Sequence, residues 1–236
     1  ALMDLTGQRV LVTGGSSGIG RATAAALLAK GCQVVINGRD AERLAAAADV
    51  LGCTGLAADV GDEAQAVGLV RQAAEALGGL DVLINNAGFG RFAPLVETEL
   101  ADFEAVMRTN VTGAFLVGRE VARLFVEQGR GGSLVNVAST AALKGFPGGS
   151  AYSTSKFALR GMTECWRAEL CPHDVRVILV NPSEVLTDFA AASGREQQQH
   201  PRKLVPEDIA HSIVSALEMD ARGFIPELTV FATNPF

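Results

Sequence analysis

Apolar residues fall in short blocks along the chain, each followed by glycines or polar residues and then by a longer stretch rich in helix formers. Residues 8–13, 33–37, 54–60, 81–85, 133–138, 175–180 and 224–232 form the blocks, which are dominated by Val, Leu and Ile. Runs of this length and composition are strands buried on both faces. Residues 21–30, 41–50, 62–77, 98–128, 151–171 and 206–219 supply the helices between them. Strands and helices alternate with short links, so the sheet is expected to be parallel and doubly wound, with helices on both faces.

The length of 236 residues suits one α/β domain, and an apolar share of 48% is ample for one large core. Glycines number 26 against 8 prolines with no repeat, which points to tight turns and close backbone approaches. A net charge of −6 argues against nucleic acid or anionic membrane as partner. No apolar run approaches the ~20 residues of a membrane span. Residues 1–7 lack the basic and apolar regions of a signal peptide, so a cytoplasmic protein is expected. Cys32, Cys53, Cys165 and Cys171 show no C-x-x-C spacing, and His173, His200 and His211 no paired ligand spacing. Structural thiols and no metal site are the expectation.

The first block runs into Gly14-Gly-Ser-Ser-Gly-Ile-Gly20 and then a helix. Strand, glycines and helix in that order suit a dinucleotide pyrophosphate. Glycine lets the backbone approach the phosphates, and the helix start offers free N–H groups and the positive end of a dipole. A tight turn between strand and helix is the plain alternative. The second strand ends at Gly38 and Arg39, where NAD binders usually carry an acid. A guanidinium suits a 2′-phosphate, so NADP(H) is preferred over NAD, unless Arg39 is only a solvated loop residue. Asp40 is read chiefly as a helix N-cap. Asp59, at the end of the third strand, either accepts from an adenine amino group or caps the next helix. Asn110 and Gly113 sit inside 98–128, where both are poor helix formers, so a kink with a functional amide competes with a polar surface position.

Tyr152 is the only tyrosine, and Lys156 follows four residues later. On a helix the two side chains share one face. An ammonium so close favours the phenolate. A fall from ~10 to about 7–8 needs roughly 3–4 kcal/mol of differential stabilisation, and would make Tyr152 a proton donor and acceptor at neutral pH. Ser139 stands at the C-terminal end of the fifth strand, where ligands of open α/β sheets bind.

Thr13-Gly-Gly-Ser-Ser-Gly-Ile-Gly20, Asp59-Val60, Asn85-Asn-Ala-Gly88, Asn110, Ser139 and Tyr152-Ser-Thr-Ser-Lys156 stand in the order found in the short-chain dehydrogenase/reductase family, which the chain resembles over about residues 5–190. The resemblance implies one Rossmann-like domain over 1–236 with a seven-stranded parallel sheet. It implies a tetrad of Asn110, Ser139, Tyr152 and Lys156. Tyr152 is then the general acid of carbonyl reduction and the base of alcohol oxidation. Lys156 binds the nicotinamide ribose and lowers the Tyr152 pKa, Ser139 bonds the substrate oxygen, and Asn110 holds a water in a proton relay. Gly14, Ser16, Ser17, Gly18, Ile19, Gly20, Arg39, Asp59, Val60, Asn86, Ala87, Gly88, Pro182, Val185 and Thr187 are the implied cofactor contacts, with Tyr152 and Lys156. Ser183 departs from the family's Pro-Gly, and the chain lacks a glycine-rich ending.

The resemblance also implies a substrate lid over about 185–205 and a homodimer or homotetramer through helices 98–128 and 151–171. The candidate substrate pocket is Phe89, Ala141, Phe146, Glu184 and Phe189, with Glu184 read either as a substrate contact or as a solvated acid. The leading expectation is an NADPH-dependent reductase of a small ketone, aldehyde or 3-oxoacyl compound. Carrier-protein reductases are the commonest assignment among such relatives, although a carrier protein would want a basic docking face. An NAD-dependent alcohol or sugar dehydrogenase is the enzymatic rival. A non-catalytic dinucleotide sensor or scaffold is the rival of another class.

Overall fold

The computed structural model describes residues 2–187, 189 and 201–234. Seven parallel strands form one sheet in the order β3-β2-β1-β4-β5-β6-β7. They are β1 (Arg9–Val12), β2 (Gln33–Gly38), β3 (Thr54–Ala57), β4 (Val82–Asn85), β5 (Gly132–Val137), β6 (Val175–Pro182) and β7 (Glu227–Val230). The helices are α1 (Gly18–Ala29), α2 (Ala41–Leu51), α3 (Glu63–Leu77), α4 (Leu100–Met107), α5 (Ala114–Gln128), α6 (Ser150–Leu170) and α7 (Pro206–Leu217). The doubly wound α/β fold expected from the alternation of blocks is present.

Alternation along each strand divides the core in two. Val10, Val12, Ile36, Ile84, Val135, Ile178 and Val180 face one way, onto Leu27 of α1, Leu44 of α2 and Ile213 of α7. Leu11, Val35, Leu83, Leu134 and Val177 face the other, onto Leu69 of α3, Val121 and Phe125 of α5, and Trp166 of α6. Full burial of each such side chain stabilises the fold by about 1.5–3 kcal/mol.

Three expected elements differ. β3 and β7 are shorter than their apolar blocks, ending at Ala57 and starting at Glu227. The stretch 98–128 is not one helix. A π-helical turn, Arg108–Gly113, separates α4 from α5 and buries Thr109, Asn110 and Gly113. Poor helix formers sit where the hydrogen-bond ladder changes period.

The expected lid falls mostly outside the described residues. Among those that frame it, Val185 bridges to Leu204, and the Leu186 N–H donates to the Leu204 carbonyl at 2.8 Å.

Candidate active site

The strand order reverses between β1 and β4, and at that switch point the loops after the strands part. A cavity of about 780 Å³ opens there. Its walls include Gly14, Ser16, Ser17, Gly18, Ile19, Arg39, Val60, Asn86, Ala87, Gly88, Tyr152, Lys156 and Thr187, all expected from sequence. Gly20, Asp59, Asn110, Ser139, Pro182 and Val185 are not on its wall.

The glycine loop is built for close approach. Gly14 holds φ +61°, a region that favours glycine, and a Cβ at Gly20 would overlap the Gly14 carbonyl. Gly20 therefore shapes the loop from behind. Ser17 precedes α1 without a side-chain cap, so the first-turn N–H groups face the cavity unclaimed by a side chain. By contrast, Asp40 caps α2, accepting from the Glu42 and Arg43 N–H groups at 3.1 Å. The floor beside the loop is fixed by Thr13. Its hydroxyl oxygen accepts from the N–H groups of Asn86 and Ala87, both at 3.0 Å. The Asn86 amide donates to the Thr13 and Gly14 carbonyls, so this side chain clamps the loop and only part of it faces the cavity.

Asp59 has another task than either expected one. Its carboxylate pairs with Arg108 at 3.0 Å and accepts from the Gly61 N–H, while Asp62 caps α3. The carboxylate is held by a cation from the π turn, away from the cavity wall. Pro182 closes β6, and Val185 is buried below the wall. Glu184 is exposed and pairs with Lys203 at 2.9 Å, the solvated reading.

The four residues of the expected tetrad lie close together beside one end of the cavity. Lys156 is buried and donates to the Val137 carbonyl at 3.1 Å; its nitrogen lies 5.6 Å from the Tyr152 ring centre. A Cβ on Gly88 would touch Asn110 Oδ1 at 3.0 Å and Lys156 Nζ at 3.6 Å, which places all three groups together. Asn110 is a strut. Its amide donates to the Phe89 carbonyl at 2.8 Å and to Ser155 Oγ at 3.0 Å, and its oxygen accepts from the Phe89 N–H. Both amide hydrogens are engaged, so a relay water here has to donate to the Asn110 oxygen or main chain. Ser155 in turn donates to the Tyr152 carbonyl at 2.7 Å, tying the π turn to α6.

The expected acidification of Tyr152 is not what the structure gives. Burial pushes the phenol up to about 12, and a hydrogen bond with Ser139 offsets only part of that. Burial also drives the Lys156 ammonium down, to about 8. Desolvation outweighs the mutual effect of the pair in the protein alone.

Sequence reasoning passed over Thr13, Ser155, Phe92 and Arg43. Arg43 lines the cavity with Arg39. The i, i+4 spacing across the start of α2 was a usable signal for it. Thr13 and Ser155 stand inside the motifs quoted above, but their partners Asn86, Ala87 and Asn110 are distant in sequence, so these roles left no such signal.

Residues 8–198 match the model of the short chain dehydrogenase family. An uncharacterized oxidoreductase of Thermotoga maritima is 34% identical, the match covering 94% of this chain and 92% of that one. The crystal structure of the Brucella melitensis 3-ketoacyl-(acyl-carrier-protein) reductase complexed with NADH superposes with TM-score 0.90 at 28% identity, over 97% of this chain and 98% of that one. An alcohol dehydrogenase from the archaeon Thermococcus sibiricus, complexed with 5-hydroxy-NADP, gives TM-score 0.87 at 25% identity, over 96% and 97%. The chain belongs to the short-chain dehydrogenase/reductase family and is an oxidoreductase. The family binds nicotinamide dinucleotides, of both the NAD and the NADP kind. The uncapped start of α1 and the glycine cradle fit such a group.

Proposed function

We propose that the protein is an NADP(H)-dependent reductase of a ketone, aldehyde or 3-oxoacyl compound. The end of β2 carries this reading. Gly38 stands where a ribose-binding acid would be wanted, Asp40 borders the cavity but caps α2 through Oδ1, and Arg39 and Arg43 line the cavity on either side of it. Two guanidinium groups suit a 2′-phosphate and add nothing to a bare hydroxyl.

A bound reduced nicotinamide dinucleotide supplies hydride to the carbonyl carbon. Tyr152, which burial keeps protonated through the neutral range, gives its proton to the carbonyl oxygen. Ser139 hydrogen-bonds that oxygen and then the phenolate left behind. Lys156 would hold the nicotinamide ribose and pass to Tyr152 a proton that it regains from solvent. Asn110 fixes Phe89 and Ser155, and with them the floor of the site. Gly14 to Ile19 would hold the pyrophosphate, and Val60, Asn86 to Gly88 and Thr187, which line the same cavity, would hold the rest of the dinucleotide.

Calorimetric titration with NADPH and with NADH tests the reading. Wild-type protein should bind NADPH at least tenfold tighter. Arg39→Ala should weaken NADPH by about tenfold, the scale of one charge-assisted contact, and leave NADH nearly unchanged. Equal losses for both dinucleotides would refute the phosphate contact.

Assembly as a homodimer or homotetramer through α5 and α6 belongs to the same reading. Phe115 on α5 and Phe157 on α6 are 39% and 46% exposed, a large apolar area for a solvent-facing surface. Light scattering that returns the mass of one chain overturns it.

A further inference from the structure

Two phenylalanines lie against Tyr152, and two more stand near them. The Phe92 ring meets the Tyr152 ring edge-on at 5.5 Å, and the Phe189 ring lies against it, tilted, at 5.4 Å. Phe146 follows at 6.0 Å from Phe92. Phe89, half-buried, lines the cavity next to Gly88. Glycines make room for these rings. A Cβ on Gly90 would meet the Phe92 ring at 2.6 Å and the Phe189 ring at 3.2 Å, and one on Gly149 would meet the Phe146 ring at 2.7 Å.

Among the described residues, Arg91 and Lys203 are engaged, and Arg39, 5.7 Å over the Phe89 ring, is the cation assigned above to the dinucleotide. Arg91 pairs with Asp102 at 3.5 Å and lies over the Phe89 face at 5.3 Å. Lys203 pairs with Glu184. A sugar or hydroxy acid in this place would bury hydroxyls or a carboxylate against rings that offer no hydrogen bond, which is unfavourable. An aryl group would find ring edges and faces to stack on.

We infer that the carbonyl compound taken by this site carries an aromatic ring, seated against Phe92, Phe146 and Phe189 with its oxygen at Tyr152. The inference rests on the carbonyl-reduction reading and narrows it.

The test offers the NADPH-loaded protein acetophenone and, separately, dihydroxyacetone. The kcat/KM for acetophenone should be at least about a hundredfold higher, the loss that two unmatched aromatic contacts produce. Phe146 is 37% exposed on a loop, so Phe146→Ala should fold normally. It should raise the KM for acetophenone about tenfold and lower the preference for acetophenone over dihydroxyacetone by a similar factor. An equal effect on both ketones overturns the inference. Saturation-transfer NMR on acetophenone ring protons, using the NADPH-loaded Tyr152→Phe protein, reads the contact without turnover. Ring saturation with no carbonyl reduced by the wild type keeps the aromatic seat and sinks the reductase reading. Dihydroxyacetone reduced with no ring saturation does the reverse. Neither signal overturns both.

Discussion

Burial works against both ionisable groups at the centre of the site. Lys156 titrates near 8 in the fold and near its ordinary 10.5 in the unfolded chain. Between those values the unfolded chain holds a proton that the folded one has released, so stability rises with pH across that window. Tyr152 runs the other way. Its phenol is raised from 10.0 to about 12, so the folded chain keeps a proton the unfolded one loses, and stability falls there. Lys156→Met should therefore stabilise the protein at pH 7, on the order of 3 kcal/mol less about 1 for the Val137 carbonyl left unpaired. Urea unfolding at pH 7 and pH 10 measures this, and the advantage should shrink at the higher pH. A difference that ignores pH overturns the buried-ammonium account. Tyr152→Phe should lower kcat by at least about a hundredfold while leaving dinucleotide affinity intact, checked by turnover and calorimetry.

At the scale of elements, the way each helix begins separates binding from structure. Asp40 caps α2 through one oxygen, although it also borders the cavity, so Asp40→Ala should cost about 1 kcal/mol in thermal or urea unfolding. The ratio of NADPH to NADH affinity should stay where it was; a selective loss of NADH would return Asp40 to the ribose. This cap was legible in the sequence, as were the glycine loop, the seven apolar blocks and the Tyr152–Lys156 pair, because each depends on neighbours a few residues away. Other parts were not. Asn85 donates to Asn136 Oδ1 at 3.2 Å, and Asn136 donates to Thr163 Oγ1 at 2.8 Å, a buried chain joining β4, β5 and α6. Its members are far apart in sequence and look like ordinary polar residues there. Asp59 misleads for the same reason: its partner Arg108 belongs to another element. Thr163→Val would leave the Asn136 amide without that acceptor and should destabilise by about 1–3 kcal/mol.

For the whole molecule, the cavity draws its walls from loops after β1, β2, β3, β4 and β5, so a dinucleotide there braces most of the sheet at once. At a hundred times its dissociation constant it should add about 2.7 kcal/mol. For a chain of this size that is a rise of about 5–10 °C in Tm. A melt with NADPH unchanged from the melt without it would remove the cavity from the account. The π turn, finally, holds one residue more than a regular turn has room for. Each residue of an α-helix advances the surface by about 100°. Deleting one residue of Arg108–Gly113 would close the wide turn into a regular one and leave Leu116, Val121 and Phe125 facing the sheet, whereas deleting one between Leu116 and Val121 would swing Val121 and Phe125 off it. A deletion scan should therefore find the irregular backbone more tolerant for folding than the regular helix beyond it, and turnover lost at both, because Asn110 sits in the turn.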